Sequence, residues 1–111
     1  MPGRGAYAAS KTGLIGLTRV LAAELGPYHV TVNLICPGIV AGERWNRVAA
    51  TLAAAHDGDV AAVTAAYAGK ALAKRIVESR EVAEAVTFLL SPAGAAITGQ
   101  DLNVCAGLIT C

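Results

Sequence analysis

The longest helical pattern lies near the start of the chain, from Ala6 to Leu25. Alanine and leucine dominate this run, no proline interrupts it, and Gly26-Pro27 directly after it is typical of a helix C-terminus. Interior glycines cost roughly 1 kcal/mol each in helix propensity. Gly13 and Gly16 fall on the same side as Ala9, so we expect a close-packed neighbour there, either a helix, a sheet face or a second subunit.

Two strands are predicted further along the chain. Residues 30–36 are β-branched and almost continuously apolar until Pro37-Gly38 breaks the run, which predicts a short central strand covered on both faces of a parallel sheet. Residues 101–104 alternate polar and apolar side chains after the turn residues Thr98-Gly99, which predicts a last short strand.

Two amphipathic helices are predicted directly after the first strand. The first begins beyond Gly42 and ends near residues 56–58, and its apolar stripe consists of Trp45, Val48, Ala49, Leu52 and Ala53. The second is capped by Asp59 and closed by Gly69, and its buried stripe consists of Val60, Val63 and Tyr67.

A third helix is predicted between Ser79, its expected N-cap, and Ser91-Pro92. Its shared apolar face consists of Val82, Val86, Leu89 and Leu90. The order of elements is then helix, strand, helices, strand, which is a right-handed α/β crossover. Two strands alone do not make a stable sheet, so the pattern predicts residues 1–111 to be a single partial domain.

Composition and charge narrow the classes of partner. The chain is 55% hydrophobic and 15% charged, and nine basic and eight acidic residues give a formal net charge of +1 with no run of either sign. A phosphate-backbone binder needs a basic patch, so nucleic acid is not an expected partner. No stretch approaches the ~18 apolar residues of a membrane span, so no membrane partner is expected either.

The cysteines and the first residues bear on the compartment. Cys36, Cys105 and Cys111 are an odd number without close pair spacing, which is unlike the disulfide framework of a secreted domain. The first five residues lack the apolar core of a signal peptide. We therefore expect a cytoplasmic protein with reduced thiols.

Tyr7 and Lys11 are the strongest candidates for chemistry. Their i, i+4 spacing places them on one helical face, where the ammonium favours the ionised form of the phenol. Such a pair can act as a general acid and base. By itself the spacing also fits an ordinary Tyr and Lys on a solvated helix. Other segments of the sequence are needed to distinguish a catalytic pair from ordinary surface residues.

Several segments occur together in the order of one known family. They are Tyr7-Ala8-Ala9-Ser10-Lys11, Gly16-Leu17-Thr18-Arg19, Leu21-Ala22-Ala23-Glu24-Leu25-Gly26, Val32-Asn33, Cys36-Pro37-Gly38 and Thr98-Gly99-Gln100. From about Gly5 to Gly107 the chain resembles the C-terminal part of the short-chain dehydrogenase/reductase family, particularly 3-oxoacyl-carrier-protein reductases. The resemblance implies part of a Rossmann-like, doubly wound parallel sheet.

The resemblance also implies roles for individual residues. Tyr7 would be the catalytic acid and base, and Lys11 would assist it and hold the ribose hydroxyls of NAD or NADP. Pro37, Gly38 and Ile39 would form the loop on the nicotinamide side. Residues 43–69 would form a lid over a small carbonyl or alcohol substrate, and a dimer or tetramer of identical chains is expected.

The chain also departs from the family pattern. No Gly-rich phosphate turn follows a strand, and Gly3-Arg4-Gly5 does not qualify because no strand precedes it. The family's upstream catalytic serine is absent, and Ser10 is expected on a different helix face from Tyr7. Gly42 stands where relatives often carry threonine, and Val104-Cys105-Ala106-Gly107 stands where the family has Val-Asp-Gly-Gly.

Other side chains give no strong signal. His29 and His56 lack carboxylate or cysteine partners at ligand spacing, so no metal is expected. Trp45 and Tyr67 lie on apolar helix stripes, where they serve as core or lid packing more often than as a cofactor box.

Two functional hypotheses remain. In the first, the chain is a fragment of an NAD(P)-dependent oxidoreductase, and alone it is inactive because its cofactor site is incomplete. In the second, it is a non-catalytic oligomerisation module or truncated remnant whose apolar faces seek partners.

Overall fold

The computed structural model describes residues 3–55 and 58–109. Its helices and strands are α1 (Gly5–Leu25), β1 (Leu34–Pro37), α2 (Glu43–Ala54), α3 (Val60–Ala68), α4 (Ser79–Leu90) and β2 (Asp101–Val104). Short 3₁₀ turns follow α1 at Gly26–Tyr28 and α4 at Pro92–Gly94. The predicted order of elements is confirmed. Residues 56 and 57, where α2 was expected to end, and Cys111 lie outside the described residues.

The two strands form a parallel sheet in the order β1-β2. The main-chain N–H of Leu34 donates to Gln100 O at 2.8 Å, and that of Gly38 donates to Val104 O at 3.0 Å. In this register Gly38 lies opposite Cys105.

β1 is shorter and more exposed than predicted. Residues 30–33 are not part of the strand, and the main chain of Val32 bonds instead to Thr98 Oγ1 at 3.1 Å and to the Gly99 N–H at 2.7 Å. The expectation that both faces are covered is wrong, because residues 34–36 are only half-buried and Pro37 is exposed. A central strand needs neighbours on both edges, and the described sheet has only two strands.

The chain packs as two compact units. The first unit comprises the chain up to Ile35 together with Val86–Leu102, and the second comprises Cys36–Ala85 together with the chain from Asn103 onward.

In the first unit, α1 buries Thr18 and Ala22. Ala22 packs beside Gly99, and Arg19 forms an ion pair with Asp101 at 3.2 Å. The predicted close neighbour of Gly13 and Gly16 is not found among the described residues, since a Cβ on either glycine would meet nothing within 4 Å.

In the second unit, α2 and α3 pack together through Trp45. This side chain is 8% exposed, its Nε1 donates to Thr64 Oγ1 at 3.1 Å, and its ring meets that of Tyr67 edge-on with centroids 5.3 Å apart. Asp59 caps α3 as predicted, because its Oδ1 accepts the N–H of Ala62 at 3.0 Å. Val60 is exposed, so the expectation that it is buried is wrong, and Val48 on the apolar stripe of α2 is exposed as well.

α4 differs from its prediction at both ends. At its start the carboxylate of Glu81 accepts the N–H of Glu78 at 2.8 Å, as in one half of a capping box, while Ser79 Oγ donates to Ala41 O at 3.3 Å. At its end Leu89 is buried but Leu90 is 80% exposed. The two side chains therefore do not share a buried face, since consecutive helical residues point about 100° apart.

Candidate active site

Tyr7 and Lys11 lie together on the first turns of α1, as their spacing predicts. They share a helix face with Thr18 and Ala22, the two buried residues further along the same helix. The face is therefore covered at its far end and open near its start, where Tyr7 is 52% exposed. An external molecule can reach the phenol.

Lys11 is available to bind a ligand. Its Nζ lies 5.7 Å from the centroid of the Tyr7 ring, within the range of a cation–π contact. Among residues 3–55 and 58–109, no hydrogen bond or ion pair engages the Lys11 ammonium or the Tyr7 hydroxyl. The pair offers three ammonium donors and one exchangeable phenolic proton on the same side of the helix.

Ser10 does not join this pair. Its Oγ donates to the carbonyl oxygen of Tyr7 at 2.8 Å, so the hydroxyl is bonded to the backbone of its own helix. The expectation that Ser10 lies on a different helix face from Tyr7 is wrong, because residues three apart in a helix are neighbours on one side.

Pro37 is the last residue of β1, Gly38 and Ile39 follow it, and all three lie in the second unit. The loop is fixed on one side by the Gly38 N–H bond to Val104 and on the other by Ile39 O, which accepts the N–H of Val77 at 2.8 Å. A Cβ built on Gly38 would lie 2.8 Å from both Cα and Cβ of Cys105. Any larger residue at position 38 would therefore displace the loop.

The turn after β2 shows why the family pattern has two consecutive glycines there. Ala106 has φ +53° and Gly107 has φ +78°, and Leu108 N–H donates to Cys105 O at 2.9 Å. Both central residues thus occupy the left-handed region, which is unfavourable for alanine. The departure from the family pattern at Ala106 therefore gives a strained alanine within an otherwise regular turn.

Two features of the first unit were missed by sequence reasoning. Asn33 donates from Nδ2 to Ile97 O at 2.7 Å and accepts the Gln100 N–H on Oδ1 at 3.1 Å, so it fixes the segment before β2. The only available signal was that Asn33 is a polar residue inside an apolar run. Nothing in the sequence pointed to the ion pair of Arg19 with Asp101.

The described residues contain no cluster of three potential metal ligands, and none of their helices is long and apolar enough to cross a membrane. His29 ends the 3₁₀ turn after α1 with φ +61°, whereas His56 lies outside the described residues. The side chain of Trp45 is buried, so it belongs to the packing between α2 and α3.

Comparison with known proteins identifies what the chain is similar to. A family model described as enoyl-(acyl carrier protein) reductase matches residues 1–109. The chain is 38% identical over 106 residues to a 3-oxoacyl-[acyl-carrier-protein] reductase of Vibrio harveyi, and the match covers 96% of this chain and 39% of the relative. The chain thus spans about two-fifths of the length of the curated relatives it matches.

Solved structures agree with this match. A short chain dehydrogenase family protein from Francisella tularensis superposes with a TM-score of 0.90 at 28% identity, covering 97% of this chain and 45% of that protein. L-sorbose reductase from Gluconobacter frateurii, complexed with NADPH and L-sorbose, gives a TM-score of 0.88 at 26% identity over 96% of this chain and 41% of that protein. The prediction of a partial Rossmann-like α/β fold is confirmed.

Proposed function

Because the chain belongs to the short-chain dehydrogenase/reductase family, a family of oxidoreductases, we propose that it carries the proton-transfer residues of an enzyme that interconverts a carbonyl and an alcohol with NADH or NADPH. The observation that carries this proposal is the pairing of Tyr7 and Lys11 on the open end of one helix face, with neither polar group engaged by the described residues.

Each unit contains one group whose chemistry suits part of such a cofactor. The Lys11 ammonium can donate to ribose hydroxyls, and the loop Pro37–Ile39 is held rigidly enough to present its backbone to a nicotinamide ring. The phosphate end of the cofactor has no matching turn among the described residues. Gly3 directly precedes α1, which begins at Gly5, and the described residues contain no strand before that helix. We propose that the phosphate-binding residues belong to a part of the protein outside these 111 residues.

When bound, the cofactor supplies or accepts the hydride. In the direction of reduction, Tyr7 donates its phenolic proton to the carbonyl oxygen as the carbonyl carbon receives the hydride, which leaves a phenolate. The positive charge of Lys11 stabilises that phenolate and so assists the transfer. A proton from solvent then restores Tyr7, since its ring is half-exposed.

The substrate is proposed to be a small carbonyl compound. The Vibrio harveyi relative is named for a 3-oxoacyl group on a carrier protein, so a 3-oxoacyl thioester is a suitable first probe. Residues 43–69, which include α2 and α3, are proposed to lie over this substrate.

A second candidate function is assembly without catalysis. Leu17 and Val20 are 51% and 53% exposed on the α1 face that also carries Gly13 and Gly16, where added side chains would meet open space. Such an apolar face suits a second copy of the chain. We propose a homo-oligomer in either case, and sedimentation of a stable monomer would contradict it.

The experiment that tests the oxidoreductase proposal uses the purified protein that carries this chain. NADH and NADPH are titrated separately by fluorescence, and their oxidation is then followed with a 3-oxoacyl thioester and with a simple ketone. We expect binding of one cofactor and turnover of a carbonyl. A protein that assembles but binds neither cofactor at millimolar concentration would favour the assembly function instead.

A further inference from the structure

The turn formed by Cys105–Leu108, here called the 105 turn, joins separate segments of the second unit. It follows β2 directly, and its backbone accepts hydrogen bonds from the segment after α3. Leu72 N–H donates to Gly107 O at 3.3 Å, and Ala73 N–H donates to Ala106 O at 3.0 Å. The 105 turn is therefore held in place by the segment after α3.

The closest approach in this region is between Gly38 and Cys105. A Cβ on Gly38 would lie 2.8 Å from Cα and Cβ of Cys105 and 3.2 Å from its carbonyl oxygen. Cys105 is only 6% exposed, and its Sγ lies 3.6 Å from Ile109 O. Because Cys105 is this closely packed, a larger side chain at position 105 cannot fit without shifting that residue, and a shift of its Cα and Cβ would reach Gly38.

The loop cannot easily move away from residue 105, because the backbone that follows Gly38 is also held by hydrogen bonds. Ile39 O accepts the N–H of Val77, and the N–H of Ala41 donates to Val77 O, each at 2.8 Å. Val77 is itself 2% exposed. The backbone from Gly38 to Ala41 is therefore held between position 105 and Val77.

We propose that Cys105 is a positioning residue that sets, through its side-chain volume, the placement of the Gly38 and Ile39 backbone and thereby the affinity for the nicotinamide cofactor. This inference rests on the proposed function, which gives the loop its role in binding. Cys105 and the loop belong to the second unit, whereas Tyr7 and Lys11 belong to the first, so we expect the volume at position 105 to act on cofactor affinity and not on proton transfer.

The first test needs no cofactor. Cys105→Val adds volume at the closely packed position 105, whereas the matched variant Cys105→Ala keeps Cβ and adds no volume. In the full protein, we expect hydrogen exchange at the Gly38 amide to quicken by about tenfold in Cys105→Val and to stay within about twofold in Cys105→Ala. Ala53→Val, which adds similar volume at another buried position of the second unit, should leave the Gly38 amide unchanged.

The second test measures cofactor affinity and turnover in the same variants. We expect Cys105→Val to raise the dissociation constant of the bound cofactor by about tenfold and to leave kcat at saturating cofactor within about twofold. Should Cys105→Val not fold, Gly38→Ala crowds the same contact from the other side, and it should raise the dissociation constant of the cofactor by about tenfold.

The outcomes separate this inference from the proposed function. The wild-type protein can bind cofactor and turn over substrate while Cys105→Val leaves either the Gly38 exchange rate or the cofactor affinity unchanged. That result overturns the positioning role alone. A wild-type protein that binds neither cofactor overturns the proposed function, and the affinity claim fails with it.

Discussion

The ammonium of Lys11 lies 5.7 Å from the centre of the Tyr7 ring, one helical turn further along α1. At this distance the ammonium makes a cation–π contact with the ring, and within the described residues it forms no hydrogen bond to the phenolic oxygen. The same ammonium remains open to a ligand, so one side chain can serve both the proton transfer and the cofactor.

Lys11→Met tests this double role. Loss of a hydrogen bond from a charged donor should weaken cofactor binding by about tenfold to a hundredfold. Lys11→Met should also lower kcat at saturating cofactor, because the charge that would assist proton transfer is gone. The first effect is measured by cofactor titration and the second by steady-state kinetics.

Lys70→Met is the matched control for that variant. Lys70 also lies over a tyrosine ring, with its Nζ 4.4 Å from the centroid of Tyr67 in the second unit. Lys70→Met should leave cofactor affinity and kcat unchanged. An equal loss in both variants would assign the effect to general charge loss and contradict the role of Lys11.

Local spacing determines what the sequence could predict. The end of α1 at Gly26-Pro27, the cap at Asp59 and the shared face of Tyr7 and Lys11 all depend on residues within a few positions of each other. The bonds of Asn33 join it to residues more than 60 positions further along, and periodicity carries no information about such partners.

Dependence on distant partners also explains where the predictions from sequence were wrong. The apolar run at 30–36 has the pattern of a central strand, but pairing along its first residues requires a neighbouring strand that the described residues do not contain. The contact of Gly38 with Cys105 likewise depends on the register of β1 with β2, which the sequence of either strand alone does not determine.

Asn33→Ala should destabilise the first unit. It removes one donor and one acceptor that satisfy Ile97 O and the Gln100 N–H, and a lost hydrogen bond to a partly buried group costs about 1–3 kcal/mol. Denaturant unfolding measures the change. Asn46→Ala, at an exposed position on α2, should be neutral or slightly stabilising, and an equal loss in both variants would refute the role of Asn33.

Ala106→Gly should stabilise the protein by about 0.5–1 kcal/mol. Glycine removes the unfavourable left-handed alanine from the folded state, which stabilises it. This gain is larger than the cost of the extra conformational entropy that glycine gives the unfolded chain. Ala95→Gly is the control with opposite sign, since Ala95 has φ −59° and glycine there only adds flexibility. Thermal unfolding that shows no rise in Tm for Ala106→Gly would mean that the turn is not strained.

Stability should depend on Glu81 in acid. Hydrogen bonding from Arg75, followed by that from the Glu78 N–H, lowers the pKa of Glu81 from 4.5 to about 2. A carboxyl with a lowered folded-state pKa contributes stability above its unfolded pKa and loses it as pH falls through the folded value. The contribution is therefore complete above about pH 4.5 and disappears towards pH 2.

Glu81→Gln should consequently lower Tm near neutral pH and converge with the wild type at the acid end of that window. Glu84→Gln provides the comparison, because Glu84 pairs with Arg80 at 3.3 Å on an exposed helix surface. We expect its Tm to follow the wild type at every pH. A Glu81→Gln variant with a constant Tm difference down to acid pH would contradict the account.

The most direct measurement is kcat for carbonyl reduction by the full protein carrying Tyr7→Phe, compared with Tyr28→Phe. Tyr28 is 75% exposed in the 3₁₀ turn after α1, so its substitution controls for loss of a phenol elsewhere. Tyr7→Phe should lower kcat by about 10²–10⁴-fold without loss of folding, because it removes the transferred proton and keeps the ring. If Tyr7→Phe retains more than about a tenth of wild-type kcat, Tyr7 is not the proton donor.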